Sequence, residues 1–334
     1  MKRILDSKYK SKLTLTETQI AIKFVKDTFQ KELAKKLKLL RVSAPLFVLP
    51  KTGLNDNLSG KEEPVSFKVL HLGEEAEIVH SLAKWKRIAL DKYEIELHNG
   101  LYTDMNAIRK EEELDFIHSL YVDQWDWEMS ISKEDRTFSY LKSIVKKIYK
   151  CIYDLEVKVN RKYQVFAQKL PKNIYFISTS ELEKMYPNLS RKEREDEITR
   201  TYKAVFLYQI GYPLKDNLPH DTRAADYDDW ELNGDILVYY PLYDMALELS
   251  SMGIRVDKES LIKQLTFKNE LYKLNNDSCR AIIDESLPLS IGGGIGQSRL
   301  CMYMLEKAHI GEVQVSLWKE EDLKELQEKG IYLL

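Results

Sequence analysis

Ser290-Ile291-Gly292-Gly293-Gly294-Ile295-Gly296-Gln297-Ser298-Arg299-Leu300 places four glycines in five positions. Without a Cβ at those positions, the backbone can approach a ligand closely. Leu300 and Met304, with Cys301 and Leu305 beside them, continue as an apolar helical pattern. The glycines are therefore expected to form a loop that opens a helix, with the first helical amides pointing back at it. Arg299 falls in that first turn, where a fixed cation can meet a phosphate. Two nucleotide fingerprints are excluded by inspection: the dinucleotide motif needs glycine where Gln297 stands, and the Gly-Lys-Ser/Thr of a P-loop does not occur. A glycine-rich turn that only lets a helix pack tightly on a sheet has the same appearance.

The chain of 334 residues has ample length for a sizeable core. Its 51 Lys+Arg and 53 Asp+Glu nearly cancel, to a formal charge of −2. Bulk electrostatics therefore give no case for nucleic acid or an anionic membrane surface. No apolar run approaches the length of a membrane span and the N-terminus lacks a signal-peptide core, so a cytoplasmic location is expected. Cys151, Cys279 and Cys301 are odd in number and far apart, unlike a disulfide framework or a zinc site.

From the N-terminus, Thr16-Glu17-Thr18-Gln19 reads as a capping box before a helix carrying Ile22, Val25, Phe29, Leu33, Leu37 and Leu40. A short strand follows up to Pro45, then a polar loop at Asp56-Asn57-Leu58-Ser59-Gly60, two strand-like runs, and a helix from Ser81. Leu101–Arg109 and Ile117–Glu128 read as two strands joined by an acidic loop. Period-two alternation sets Gln124, Asp126 and Glu128 on one face, and Tyr121, Asp123, Trp125 and Trp127 on the other. An amide and carboxylates on one strand face suit the floor of a polar pocket. Phe138 to Val159 marks a second long amphipathic helix. Ser180 with Glu183 and Ser190 with Glu193 cap two more, the second so charged that a surface position is expected. The segment His220 to Trp230 gathers Asp221, Asp226, Asp228 and Asp229 around two aromatics, which implies packing. Strands Ile236–Tyr240 and Ala246–Val256 follow, the latter with Glu248 and Ser250 on one face, and Val313–Leu317 reads as a final strand.

Arg109 and Arg299 stand among strands rich in carboxylates. Arginine suits phosphate because its planar fork donates two parallel hydrogen bonds and stays charged. Asp235 and Glu248 offer hard oxygen ligands of the kind Mg²⁺ takes while keeping water and phosphate oxygens. Together with the glycines these describe a nucleotide site without a P-loop.

Six motifs extend this reading: Asp56–Gly60, His80–Arg87, Tyr121–Glu128, Asn233–Val238, Glu248–Asp257 and Ile291–Leu300. In this order they resemble the bacterial ammonia-dependent asparagine synthetases (aspartate–ammonia ligase, the A-type enzyme), across nearly the whole chain. The resemblance implies an α+β fold, the antiparallel sheet flanked by helices of a class II aminoacyl-tRNA synthetase catalytic domain. Residues 1–334 would form a single catalytic domain with no separate anticodon-binding domain, and the protein would be a homodimer. Helix, strand and Pro45 resemble the first class motif, Arg109 with the following strand the second, and the glycines with Arg299 the third. The interval from Trp230 to Asn233 is shorter than the family's, which leaves the lid shape open.

The implied reaction forms β-aspartyl-AMP from ATP and L-aspartate, and ammonia then displaces AMP to give asparagine. By the same resemblance, Arg109 holds the α-phosphate, Arg299 the distal phosphates, and Asp235 and Glu248 the Mg²⁺. Gly292, Gly293, Gly294 and Gly296 admit the adenosine. Asp56 and Asp126 are candidates for the aspartate ammonium. Lys86, Gln124, Ser251 and Arg255 are candidates for its carboxylates, with Ser81 and Ser250 nearby. Asp228 closes over the site and helps ammonium shed a proton. No cysteine stands at the N-terminus or in a reactive setting to act on glutamine, so free ammonia is the expected donor. Two rivals are a true aminoacyl-tRNA synthetase, which lacks both the chain length and a broad basic surface here, and a non-catalytic regulator, in which part of the arginine, carboxylate and glycine set would be missing.

Overall fold

The computed structural model describes residues 9–55, 58 and 62–334. Helix α1 (Leu15–Leu37) is capped by Thr14, whose side chain accepts from Glu17 N while Glu17 reaches back. The box thus begins two residues before the expected Thr16, at the residue whose extended backbone frees its hydroxyl for the amide. The stripe Ala21, Val25, Phe29, Leu33 and Leu37 is buried, and left-handed Lys38 turns the chain into strand β1 (Leu39–Arg41). Strands β2 (Phe47–Val48), β3 (Ser66–Val69) and β4 (Glu74–Ile78) form a small antiparallel sheet in the order β2-β4-β3.

After α2 (Ala83–Lys92), strands β5 (Gly100–Ile108) and β6 (Tyr121–Ser130) pair antiparallel. Helix α3 (Phe138–Tyr163) follows, then β7 (Tyr175–Ser178), α4 (Thr179–Met185), α5 (Arg191–Tyr202) and β8 (Ala204–Tyr208). The long hairpin of β9 (Asp228–Tyr240) and β10 (Met245–Arg255) leads to α6 (Lys258–Phe267) and α7 (Asp277–Ile283). Strand β11 (Ser290–Gly296), α8 (Gln297–Met304) and α9 (Glu320–Glu328) complete the described elements. The main sheet has the order β1-β5-β6-β11-β10-β9-β8-β7; only its two outer pairs, β1 with β5 and β7 with β8, run parallel.

One sheet face carries the main core, where α1, α3 and α8 cover Trp125, Trp127, Met252, Ile254 and Ile295. Phe29 of α1 meets Trp125 with ring centroids 4.9 Å apart. The opposite face carries Gln124, Asp126 and Glu128, as the alternation along β6 requires. Among the described residues no helix is long and apolar enough to cross a membrane.

Several expectations shift. The glycines do not form a loop. They are strand β11, paired with β6 on one side and β10 on the other. Helix α4 is capped by Ser178 with Glu181, not Ser180 with Glu183, because β7 ends at Ser178; Ser190 and Glu193 do cap α5. That charged helix is no plain surface element. Arg194, Glu195 and Asp196 are buried, with Glu195 on His220 and Asp196 accepting from Ala246 N. Trp230 to Asn233 lies within continuous strand β9. Residues 313–317 are not a strand among the described elements; Gln314 turns inward to Ser298 while Val315 and Leu317 face out.

Candidate active site

The sheet's polar face forms the floor of a cleft of about 340 Å³. Register sets its residues in rows across the strands. Asp126, Gly294, Ser251 and Asp235 are consecutive partners on β6, β11, β10 and β9, and Glu128, Gly292, Gly253 and Asn233 form the next row. A bulge in β10 sets four residues, Glu248 to Ser251, against three on β9, Leu237 to Asp235. Glu248 therefore shares its face with Ser251, not with Ser250 as strict alternation implies. Ser250 is buried at the bulge, its hydroxyl donating to Gly294 O at 2.9 Å.

Glycine is needed in β11 for room inside the protein. A Cβ on Gly292 would stand 1.9 Å from Glu128 Oε2, and one on Gly294 would stand 2.2 Å from Gln124 Oε1. Gly293, Gly294 and Gly296 line the cleft, whereas Gly292 lies beneath Glu128 and Arg255. The space at Gly292 is thus filled by side chains, contrary to its assignment to adenosine.

The inner end of the cleft is a buried lattice of charge. Lys86, fully enclosed on α2, donates to Gly293 O at 2.9 Å and lies 3.2 Å from Asp126 Oδ2. Burial drives its pKa below the ordinary lysine value, with Asp126 pulling the other way and Arg255 adding to the fall. Arg255 donates from Nε to Glu128 Oε1 at 2.9 Å and from Nη2 to Oε2 at 2.7 Å, while Nη1 holds Asp228. Burial works to raise the Glu128 carboxyl, but Arg255, Lys86 and the Ser290 hydroxyl outweigh it and keep it below the usual range. For Asp228 burial prevails over Arg255, and its pKa is raised. Ser81 and Gln124 border the same end. Asp56 lies outside the described residues; Leu58, from the same motif, lines the cleft.

The outer end carries cations and a carboxylate pair. Arg109 follows β5, held by its amide donating to Leu120 O at 2.9 Å, and its Nε is buried without a hydrogen bond among the described residues. Arg299 extends from the first turn of α8, with Nη1 3.9 Å from Glu248 Oε2. Asp235 is capped by Arg223, which also holds Asp221 at 2.7 Å. Burial, with Glu248 and Asp221 adding to it, raises the Asp235 carboxyl to about 7 against the pull of Arg223. As neighbouring hard oxygen donors the pair suits a divalent cation: Arg223 holds Asp235 Oδ2, but Asp235 Oδ1 is buried without a hydrogen bond among the described residues. Arg223 was missed by sequence reasoning, although a lone arginine among four aspartates was a visible signal. Glu128 was seen on the floor, but its role as the partner of Arg255 needs the fold.

A family model described as aspartate-ammonia ligase matches residues 16–330. This chain belongs to the aspartate–ammonia ligase family. It is 56% identical over 332 residues to an aspartate–ammonia ligase of Clostridium tetani, covering 99% of this chain and 97% of that one. An aspartate–ammonia ligase of Mycoplasmoides gallisepticum is 54% identical over 325 residues, covering 97% and 99%. In structure, the chain is similar to asparaginyl-tRNA synthetase from Pyrococcus horikoshii complexed with asparaginyl-adenylate, with TM-score 0.67, 16% identity, and coverage of 91% of this chain and 70% of that one. An aspartyl-tRNA synthetase from Entamoeba histolytica gives TM-score 0.60 at 14% identity, covering 91% and 59%. These likenesses place the ligase family on the class II synthetase fold expected from the motifs.

Proposed function

We propose that this chain makes L-asparagine from L-aspartate, ammonia and ATP, releasing AMP and pyrophosphate. The observation that carries this reading is the division of one cleft into two chemistries. Its inner end offers Lys86 and Arg255 beside Asp126 and Asp228, matching a small zwitterion with an extra carboxylate. Its outer end offers Arg109 and Arg299 beside Glu248, with Asp235 next to Ser251 in the adjoining strand and under Arg223, matching a triphosphate with its cation.

In the first step the aspartate β-carboxylate attacks the α-phosphorus of ATP and pyrophosphate leaves. Arg109 holds the α-phosphate and offsets charge that grows in the transition state. Arg299 grips the distal phosphates. Asp235 and Glu248 would hold Mg²⁺, which supplies charge neutralisation on the phosphates when bound. Lys86, Gln124, Ser251 and Arg255, with Ser81 and Ser250 nearby, fix the aspartate carboxylates, and Asp126 with Asp56 receives its ammonium. In the second step ammonia attacks the β-carbonyl and AMP leaves. Asp228, with its raised pKa, takes the proton that the attacking nitrogen must lose as the amide forms. The chain acts as one catalytic unit over residues 1–334 in a homodimer.

The test measures AMP, pyrophosphate and asparagine from Mg²⁺, ATP and aspartate, with ammonium or glutamine and without tRNA. Stoichiometric asparagine from ammonium alone supports the reading. Aspartate-dependent exchange of pyrophosphate into ATP without asparagine would sink it and point to another acceptor. An Asp228→Asn protein whose rate depends on ammonium as the parent's does removes the role given to Asp228.

A further inference from the structure

Behind the inner wall of the cleft lies a second cavity of about 20 Å³, between α2, α7 and the segment that leads into β9. Ala83, Tyr227 and Arg255 line both spaces, so this wall is one side chain thick. A water needs roughly 10–15 Å³ of such space. The cavity therefore holds one molecule of that size and excludes aspartate and ATP.

Its polar groups are buried. Ser278 is 7% exposed and Asp226 is 3% exposed. Ser278 Oγ and Asp226 Oδ1 are buried without a hydrogen bond among the described residues, while Asp226 Oδ2 is held by Lys84 Nζ at 2.9 Å. Arg87 spends its donors elsewhere, Nε on Pro288 O at 2.9 Å and Nη1 on Val256 O at 2.6 Å. The cavity thus presents acceptors in need of N–H or O–H donors. Three cations, Lys84, Arg87 and Arg255, border it against one carboxylate, which disfavours a further positive charge. A neutral molecule of water size that donates several hydrogen bonds and accepts one fits both demands.

We propose that this cavity is the vestibule through which neutral ammonia reaches the aspartyl adenylate. The proposal rests on the ligase reading above. It gives the nucleophile of the second step a way in that does not cross the adenylate lying in the cleft. Ammonia donates to Asp226 and Ser278, accepts from Lys84, and passes between Ala83 and Tyr227 to Asp228.

The test is steady-state asparagine synthesis with ammonium varied, in Leu287→Trp, which fills the cavity from its rim, and Ser278→Ala, which removes an acceptor. Leu287→Trp is expected to raise the ammonia KM at least about tenfold, and Ser278→Ala about threefold to tenfold. The KM values for aspartate and ATP, and aspartate-dependent exchange of pyrophosphate into ATP, stay within about twofold of the parent in both. The parent KM, expressed as neutral ammonia, stays constant as pH is varied. An unmoved ammonia KM in variants that still exchange pyrophosphate overturns the vestibule alone and leaves the cavity a water site. Three KM values rising together overturn it as well, by showing a structural wall. If Leu287→Trp does not fold, Ser278→Ala decides. No asparagine from the unsubstituted protein overturns the ligase reading itself.

Discussion

Glu128 Oε2 lies 2.7 Å from Arg255 Nη2, and both atoms crowd the bare Cα of Gly292. The pair is fully buried, so each charge depends on the other. Breaking such a pair from one side costs about 3–5 kcal/mol, because the remaining charge is left uncompensated.

Gly292→Ala places a Cβ 1.9 Å from Glu128 Oε2 and 2.6 Å from Arg255 Nη2. The expected outcome is a loss of at least about 3 kcal/mol in denaturant unfolding, with the aspartate KM raised more than the ATP KM. Gly293→Ala meets Met252 and the backbone on the opposite face, and should lose stability without that bias between substrates. Equal shifts of both KM values in Gly292→Ala would count against the pairing as an aspartate-side feature.

Asp123 anchors the helix that carries Arg299. Its Oδ1 accepts from Ser298 N at 3.0 Å and Gln314 Nε2 at 3.2 Å, and its Oδ2 meets Lys26 Nζ at 2.8 Å. A carboxylate at a helix N-terminus also complements the helix dipole. Asp123→Asn should cost about 1–3 kcal/mol and raise the ATP KM while the aspartate KM holds. Isothermal titration with each substrate separately would show the difference.

His309 caps a short turn, its Nδ1 accepting from Gly311 N at 3.0 Å, which requires the neutral ring. Burial depresses its pKa to about 4, with Asp115 and Asp322 only partly opposing. A depressed histidine pKa gives stability that is complete above about pH 6.5 and is lost as pH falls towards 4, by about 3 kcal/mol in all. Unfolding measured between pH 7 and 4 should show this slope, and His309→Asn, which keeps an acceptor at the cap, should flatten it.

Cys151, Cys279 and Cys301 are buried, and burial pushes their thiols up to about 12, 11 and 12. The thiolate is the reactive form. Iodoacetamide at pH 8 should therefore leave turnover with ammonium unchanged, and glutamine should not replace ammonium. Inactivation that aspartate or ATP prevents would show that one of these thiols does reach the site.

The amino-acid sequence by itself determined the secondary elements with strong period and the chemistry of the cleft. The stripe from Val25 to Leu37 and the alternation from Gln124 to Glu128 each follow from local geometry, as side chains at helical or strand spacing must share a face. Lys86, Arg109, Asp126, Glu248, Ser251, Arg255 and Arg299 were named from their motifs and line one cleft. Only the tertiary structure decided that the glycines form a central strand. That depended on Glu128 and Gln124 from β6 needing the volume their Cβ atoms would fill, a contact across more than 160 residues. It also decided which face Glu248 takes, through a bulge that adds one residue to β10 with no mark in the local pattern. Arg223 on Asp235 and the small cavity behind Ala83 come from segments that meet only when the sheet closes. Local sequence sets which way a side chain points along its own element, while the partner it meets is set by strand register and by what packs above it.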